Sequence, residues 1–168
     1  MTTEEEIKQV LGDIVVSFNS LELLASATIW VLLGVGMQDQ RVGKAITSEL
    51  VFMPKINMLR RIINEKLPAD MRKEFDSIYK DLDKCSNGRN KYIHSLWLLG
   101  LGAGTKILDM RKEFTRTGRN NTEKAFLLVP IDELREFNNK VILTSTALSN
   151  YISRVEALLN MIQGEKQK

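Results

Sequence analysis

The sequence predicts an all-α fold, a small up-and-down helical bundle that forms a single domain over residues 1–168. Its length allows one domain with a real core, and its 43% hydrophobic and 27% charged content is ordinary for a folded globular protein. Apolar residues recur at alternating steps of three and four through most of the chain, as in amphipathic helices. This period changes only between Leu96 and Pro130, where we expect an inserted β-hairpin at about residues 96–130.

The first predicted helix starts near Thr3 and extends into the apolar segment 14–37. Polar residues interrupt that segment before Ala27, and the wholly apolar part is too short to cross a bilayer. We therefore expect no membrane span. The residues that define the helical stripe are Ile7, Leu11, Ile14, Phe18, Leu21, Ala25, Thr28, Leu32 and Val35.

After Ser26 this helix also carries apolar residues on its opposite side, such as Trp30 and Val31. One face of a bundle cannot bury both sides, so a second buried surface is implied. The helix is either deeply central or part of a subunit interface, and the small size of the bundle favours the interface.

Helical periodicity continues in the middle and at the end of the chain. A short helix is expected at about residues 40–49, and another near Pro54, because proline is tolerated in a first turn. A third apolar stripe leads to Asn87-Gly88, which we expect to end its helix by a left-handed cap. The final helix is predicted from about Asp132 to Ile162 and can pair with the first.

The predicted hairpin consists of "KILDMRKEF" and "KAFLLV", separated by the turn-rich "TRTGRNNTE". From Lys106 to Lys124 its charge is +3, which equals the formal net charge of the whole chain. Such a hairpin can hold the phosphate backbone of RNA or can simply be a solvated rim, and both interpretations stay open. The candidate RNA contacts are Arg111, Lys112, Arg116, Arg119 and Lys124.

The segment "SNGRNKYIHSLW" contains the only histidine of the chain, His94. If Gly88 ends a helix, Arg89 and Asn90 begin the next helical turn. Arg89 then lies about 140° around the axis from His94, a gap that a long arginine can cover. Arginine and free backbone N–H groups at a helix start suit a phosphate, and histidine titrates near neutrality. This set suits RNA transesterification without a metal ion.

A purely structural interpretation of the same residues is also available. Arginine and asparagine after a glycine can cap a helix, and a lone histidine is often a packing residue. Tyr92 either stacks on a base or is buried. Cys85 lies on an apolar stripe and is interpreted as a small buried residue. One histidine and one cysteine cannot supply an ordinary zinc site, so no metal or other cofactor is expected.

The hexapeptide "RNKYIH", residues 89–94, resembles the R-x4-6-H motif of the HEPN superfamily, and the order of helices around it is similar over most of the chain. The resemblance implies a metal-independent endoribonuclease, often a toxin or an antiviral defence effector, that works as a homodimer with its motifs face to face. It assigns phosphate contact to Arg89, orientation of the site to Asn90 and acid–base work to His94. Other members are catalytically silent, so a nucleotide-binding or dimeric assembly module is the alternative.

The expected setting of the protein follows from composition. A single cysteine and an acidic, polar N-terminus without the pattern of an export signal favour the cytoplasm. The expected partners are RNA, a second copy of the chain, and an antitoxin or defence partner.

Overall fold

The computed structural model describes residues 4–35, 39–94, 96–98, 106–108 and 126–166. Within these ranges the chain forms five α-helices, and the predicted all-α class is confirmed. The final helix begins one residue before the predicted start, and Pro54 lies in the first turn of its helix. The helices are α1 (Glu4–Leu32), α2 (Gln40–Thr47), α3 (Phe52–Lys66), α4 (Ala69–Ile93) and α5 (Ile131–Lys166).

Helix α1 is the centre of the bundle and packs against all four other helices. Its side chains Ile14, Leu21, Ala25 and Ile29 have no exposed surface. By length and composition alone α1 could cross a membrane, a test that the core helix of a soluble protein also passes. In this fold its apolar stripe is the main contribution to the hydrophobic core.

The second buried surface of α1 is covered by the chain's own helix α2. The indole Nε1 of Trp30 donates a hydrogen bond to the Thr47 hydroxyl over 3.2 Å. A Cβ atom at Gly43 would lie only 2.5 Å from the Trp30 ring, so α2 can approach this closely because residue 43 is glycine. Trp30 is therefore 5% exposed. For Trp30 the alternative of a deeply central helix is correct, whereas the subunit interface stays a prediction.

Helices α1 and α3 run in the same direction. Near the start of α3, Lys55 Nζ lies 2.6 Å from Glu22 Oε1, and at its end Lys66 Nζ donates to the Leu32 carbonyl over 2.7 Å. The predicted up-and-down order is not contradicted, because with α2 counted between them the first and third helices of such an order are parallel. Helix α2 packs across the end of α1 and leads the chain back toward the start of α3.

Helix α4 lies antiparallel to α5. The ring of Phe75, early in α4, is 5.5 Å from that of Tyr151, whereas Tyr92, at the end of α4, is 5.0 Å from Phe137, near the start of α5. This arrangement brings the last turn of α4 beside the first turns of α5. The predicted motif lies at that junction.

The predicted helix end at Asn87-Gly88 is wrong, because α4 continues to Ile93. Among the described residues only Gly34 has the positive φ that a left-handed cap requires. Gly88 has a different role. A Cβ atom at this position would lie 2.1 Å from Cε2 of Phe137, so the absence of a side chain lets α4 and α5 come together.

Three short strands accompany the bundle among the described residues: β1 (Leu96–Leu98), β2 (Lys106–Leu108) and β3 (Phe126–Leu128). They form an antiparallel sheet in the order β1-β2-β3, with Leu96 opposite Leu108 and Lys106 opposite Leu128. The turn of the predicted hairpin and most of the segment at about 96–130 lie outside the described residues. The inserted hairpin therefore stays a prediction.

Candidate functional site

The three residues of the motif lie at the carboxyl end of α4. Arg89 and Asn90 lie among its last five residues and are half-buried, and His94 is the exposed residue that follows the helix, with φ −97° and ψ 6°. The break in helical geometry at His94 turns the chain toward β1. The motif is thus held by a helix on one side and opens to solvent on the other.

Arg89, Asn90 and His94 are brought together as the spacing predicts. Arg89 Nη1 lies 2.6 Å from His94 Nε2 and 3.4 Å from Asn90 Oδ1. Because a guanidinium group can only donate, this geometry requires Nε2 of a neutral imidazole as the acceptor, with the ring proton on Nδ1. The arginine therefore bridges the amide of Asn90 and the imidazole of His94.

The guanidinium group of Arg89 lies over a buried aromatic ring. The Arg89 Cζ atom lies 5.5 Å from the ring centroid of Phe18, a residue of α1 that is only 3% exposed. A cation at this distance from an aromatic face is attracted by the ring quadrupole. Arg89 therefore packs against the core residue Phe18 while its guanidinium group contacts His94.

The prediction that the motif lies at the N-terminus of a helix is wrong. Since α4 runs through Gly88, Arg89 and Asn90 lie at a helix C-terminus, where unpaired carbonyl groups carry partial negative charge. That end attracts cations and offers no free backbone N–H groups to a phosphate. Any anion bound here must be held by side chains, above all by Arg89.

A second polar cluster joins the end of α4 to the start of α5. Glu133 Oε1 accepts hydrogen bonds from Lys91 Nζ over 2.7 Å and from the Tyr92 hydroxyl over 2.6 Å. The indole of Trp97 donates to the Tyr92 carbonyl over 2.7 Å. These contacts fix the turn on both sides of His94. Glu133 was not among the predicted site residues, because nothing in its local sequence distinguishes it from other acidic residues in a first helical turn.

Tyr92 is part of this internal cluster and offers no free face to a base. It is 5% exposed, and its ring packs against Phe137. Of the two interpretations given for it, burial is correct and the RNA-stacking role is not. Its hydroxyl serves to hold Glu133.

The hydrogen bonds of the cluster shift the pKa values of Lys91, Tyr92 and Glu133. The hydrogen bond from Lys91, and then that from Tyr92, lowers the pKa of Glu133. Burial lowers the pKa of Lys91, but its hydrogen bonds to Glu133 and Tyr92 outweigh burial and the net pKa is raised. Burial, together with the hydrogen bond to Glu133, raises the pKa of Tyr92. At neutral pH the cluster is an ion pair with a neutral phenol.

Cys85 has no role in the site. It is fully buried, and its Sγ atom lies 3.5 Å from the Thr144 hydroxyl. Burial is the main cause that raises the pKa of its thiol. This agrees with the interpretation of Cys85 as a small core residue.

The remaining predicted contacts cannot be placed. Arg111, Lys112, Arg116, Arg119 and Lys124 lie outside the described residues. In the part of the chain that the structure describes, no group of three or more His, Cys, Asp and Glu side chains is arranged to hold a metal ion.

Comparison of the chain with protein-family models, with curated proteins and with solved structures finds no match. The assignment of the site therefore depends on its residues and their geometry.

Proposed function

We propose that this chain is a metal-independent endoribonuclease of HEPN type that cleaves single-stranded or loop RNA through the 2′-hydroxyl. The observation that supports the proposal most strongly is the 2.6 Å contact between Arg89 and His94, with Asn90 beside it, at a solvent-exposed helix end. These are the residues to which the resemblance assigns phosphate contact, acid–base work and orientation.

The proposed mechanism starts from the arginine–histidine pair. A scissile phosphate competes for the Arg89 guanidinium, which can hold two of its oxygens. Release of that contact leaves the lone pair of His94 Nε2 available to take the proton of the 2′-hydroxyl. The 2′-oxygen then attacks phosphorus, the bond from phosphorus to the 5′-oxygen breaks, and the 5′-oxygen takes the proton back from the His94 imidazolium, which leaves a 2′,3′-cyclic phosphate and a 5′-hydroxyl. Arg89 stabilises the charge that develops on the phosphoryl oxygens.

The proposal includes a homodimer in which two motifs approach one another, in the cytoplasm, as a toxin or antiviral defence effector with its own antitoxin or defence partner. The alternative is a silent HEPN-like module in which Arg89 and His94 bind a nucleotide or stabilise a dimer. The contact between Arg89 and His94 is compatible with both a ribonuclease and a silent module, so the experiment must measure RNA cleavage.

The test is incubation of the purified protein with mixed RNA in excess chelator, followed by mass spectrometry of the product ends. We expect chelator-resistant cleavage and 2′,3′-cyclic phosphate ends. His94→Ala should reduce the rate roughly 10²- to 10⁴-fold, as expected for loss of general acid–base catalysis. Arg89→Lys should also lose RNA cleavage, because an ammonium group keeps the charge but loses the planar two-point contact with phosphate.

A matched control is Arg72→Lys, which makes the same change at an exposed position on the same helix, where the side chain donates a hydrogen bond to the Asn64 carbonyl. It should cleave like the wild type. Melting curves of all variants separate catalytic from structural effects. Products with 3′-hydroxyl ends, or full activity of His94→Ala, would contradict the mechanism. Absence of cleavage by the wild type would favour the silent module.

A further inference from the structure

The outward face of α4 carries a line of positive charge that leads to the motif. Positions separated by alternating steps of four and three residues follow one line along an α-helix. On α4 the outermost line is occupied by lysine at four of six positions, and the other two are Ser77 and Asn87. We call the four the lysine row: Lys73, Lys80, Lys84 and Lys91. The next step of three beyond Lys91 is His94.

Three of the five acidic residues of α4 pair with basic residues of neighbouring helices, and a fourth, Asp83, accepts a hydrogen bond from Asn87 of the line itself. Asp76 pairs with Arg60 of α3 over 2.8 Å. On the other flank, Asp81 pairs with Lys140 of α5 over 3.0 Å, and Glu74 pairs with Arg154 of α5. Neighbouring helices therefore neutralise these three acids.

The lysine row keeps most of its charge unpaired. Lys73, Lys80 and Lys84 are exposed. Among the described residues Lys73 and Lys80 make no hydrogen bond or ion pair, and Lys84 has only a 3.5 Å contact with Asp81, which already pairs with Lys140. Lys91, the last member, contacts Glu133 beside the motif. From Lys73 to His94 the line is about 30 Å long, at about 1.5 Å per residue.

We propose that the lysine row is the track along which the phosphate backbone of single-stranded RNA reaches Arg89 and His94. This inference rests on the proposed function, because it assumes that RNA is the ligand of the motif. A single row of flexible ammonium groups contacts one backbone and reads no bases, so the track binds RNA of any sequence. The lysine row also adds positive charge beside the C-terminal end of α4, where the backbone carbonyl groups carry partial negative charge.

The experiment measures how binding depends on salt. The probe is a fluorescent 2′-O-methyl oligouridylate, which cannot be cleaved through its 2′-position and allows binding to be measured at equilibrium. The variant combines Lys73→Gln, Lys80→Gln and Lys84→Gln and leaves Lys91 in place. Each phosphate contact contributes about 0.7 to the slope of log K against log salt for a single strand, so the slope should fall by about 2.

The matched control removes three exposed positive charges elsewhere, with Arg41→Gln, Lys44→Gln and Arg61→Gln on α2 and α3. It should keep the wild-type slope. If the wild type binds the probe but the α4 variant keeps the wild-type slope, or the control loses as much, the track is refuted while the ribonuclease proposal stands. If the wild type binds no probe and cleaves no RNA, both proposals fail together.

Discussion

Gly88 shows how one missing side chain determines the position of the motif. It lies in a helix, where glycine is normally destabilising, yet Phe137 fills the space that a Cβ atom would occupy. The close approach of α4 and α5 at this point sets where the following residues, Arg89 and Asn90, emerge.

We predict that Gly88→Ala destabilises the protein by about 1–3 kcal/mol, the usual cost of overpacking, despite the better helix propensity of alanine. Gly12→Ala is the matched control, because Gly12 lies in α1 with no atom within 4 Å of its would-be Cβ. It should stabilise the protein by roughly 0.5–1 kcal/mol. Denaturant unfolding measures both changes, and a stabilising Gly88→Ala would show that the contact with Phe137 yields easily.

At the scale of elements, the end of α4 and the start of α5 are joined by Glu133. Its carboxylate accepts hydrogen bonds from Lys91 and from Tyr92, on the last turn of α4. A substitution of Glu133 should therefore affect the end of α4, which carries the motif.

We predict that Glu133→Gln lowers the melting temperature at neutral pH and that this deficit becomes smaller as the pH falls. The folded-state pKa of Glu133 is lowered from its ordinary value of 4.5, so the carboxylate stabilises the fold above that pH. This contribution is lost as the pH falls through the folded-state pKa. The side chain is 38% exposed, so the neutral-pH effect should be below about 1 kcal/mol.

Melting curves of wild type and Glu133→Gln at neutral pH and at about pH 3, below the ordinary glutamate range, measure this difference. Glu136→Gln is the control, since Glu136 is exposed and makes no hydrogen bond among the described residues. It should show no such pH dependence. A deficit of Glu133→Gln that persists in acid would mean that the carboxylate charge is not what joins the two helices.

Some apolar side chains of α1 lie in the core of the chain, and others are exposed to solvent. Helix α2 covers Trp30, which removes one argument for a subunit interface. Large apolar side chains remain exposed nearer the start of α1, with Val16 at 67% and Leu23 at 63%. These residues are not needed for the monomer core.

We predict a symmetric homodimer in which the two copies of Arg89 and His94 approach one another, as the resemblance implies. Light scattering over a range of concentrations measures the mass, and the rate of RNA cleavage per chain should fall on dilution as the dimer dissociates. A protein that stays monomeric and still cleaves RNA would contradict this assembly.

The sequence by itself determined most of the helical segments and the proximity of Arg89 to His94. Alternating apolar steps of three and four predicted α1, α4 and α5, because one buried stripe imposes a period on a single segment. The spacing of "RNKYIH" likewise predicted that Arg89 could reach His94, since a long arginine side chain covers the gap between residues five positions apart. Both properties are local, and a local pattern is sufficient to show them.

Only the tertiary structure decided where these elements meet. Asn87-Gly88 has the composition of a helix end, but contact with Phe137, far along the chain, determines the role of the glycine. The parallel course of α1 and α3 follows from the packing of α2 against Trp30, and Glu133 reaches Lys91 only because α5 returns beside α4. Such contacts join residues distant in sequence, and the hydrophobic period of one segment carries no information about which other segment lies against it.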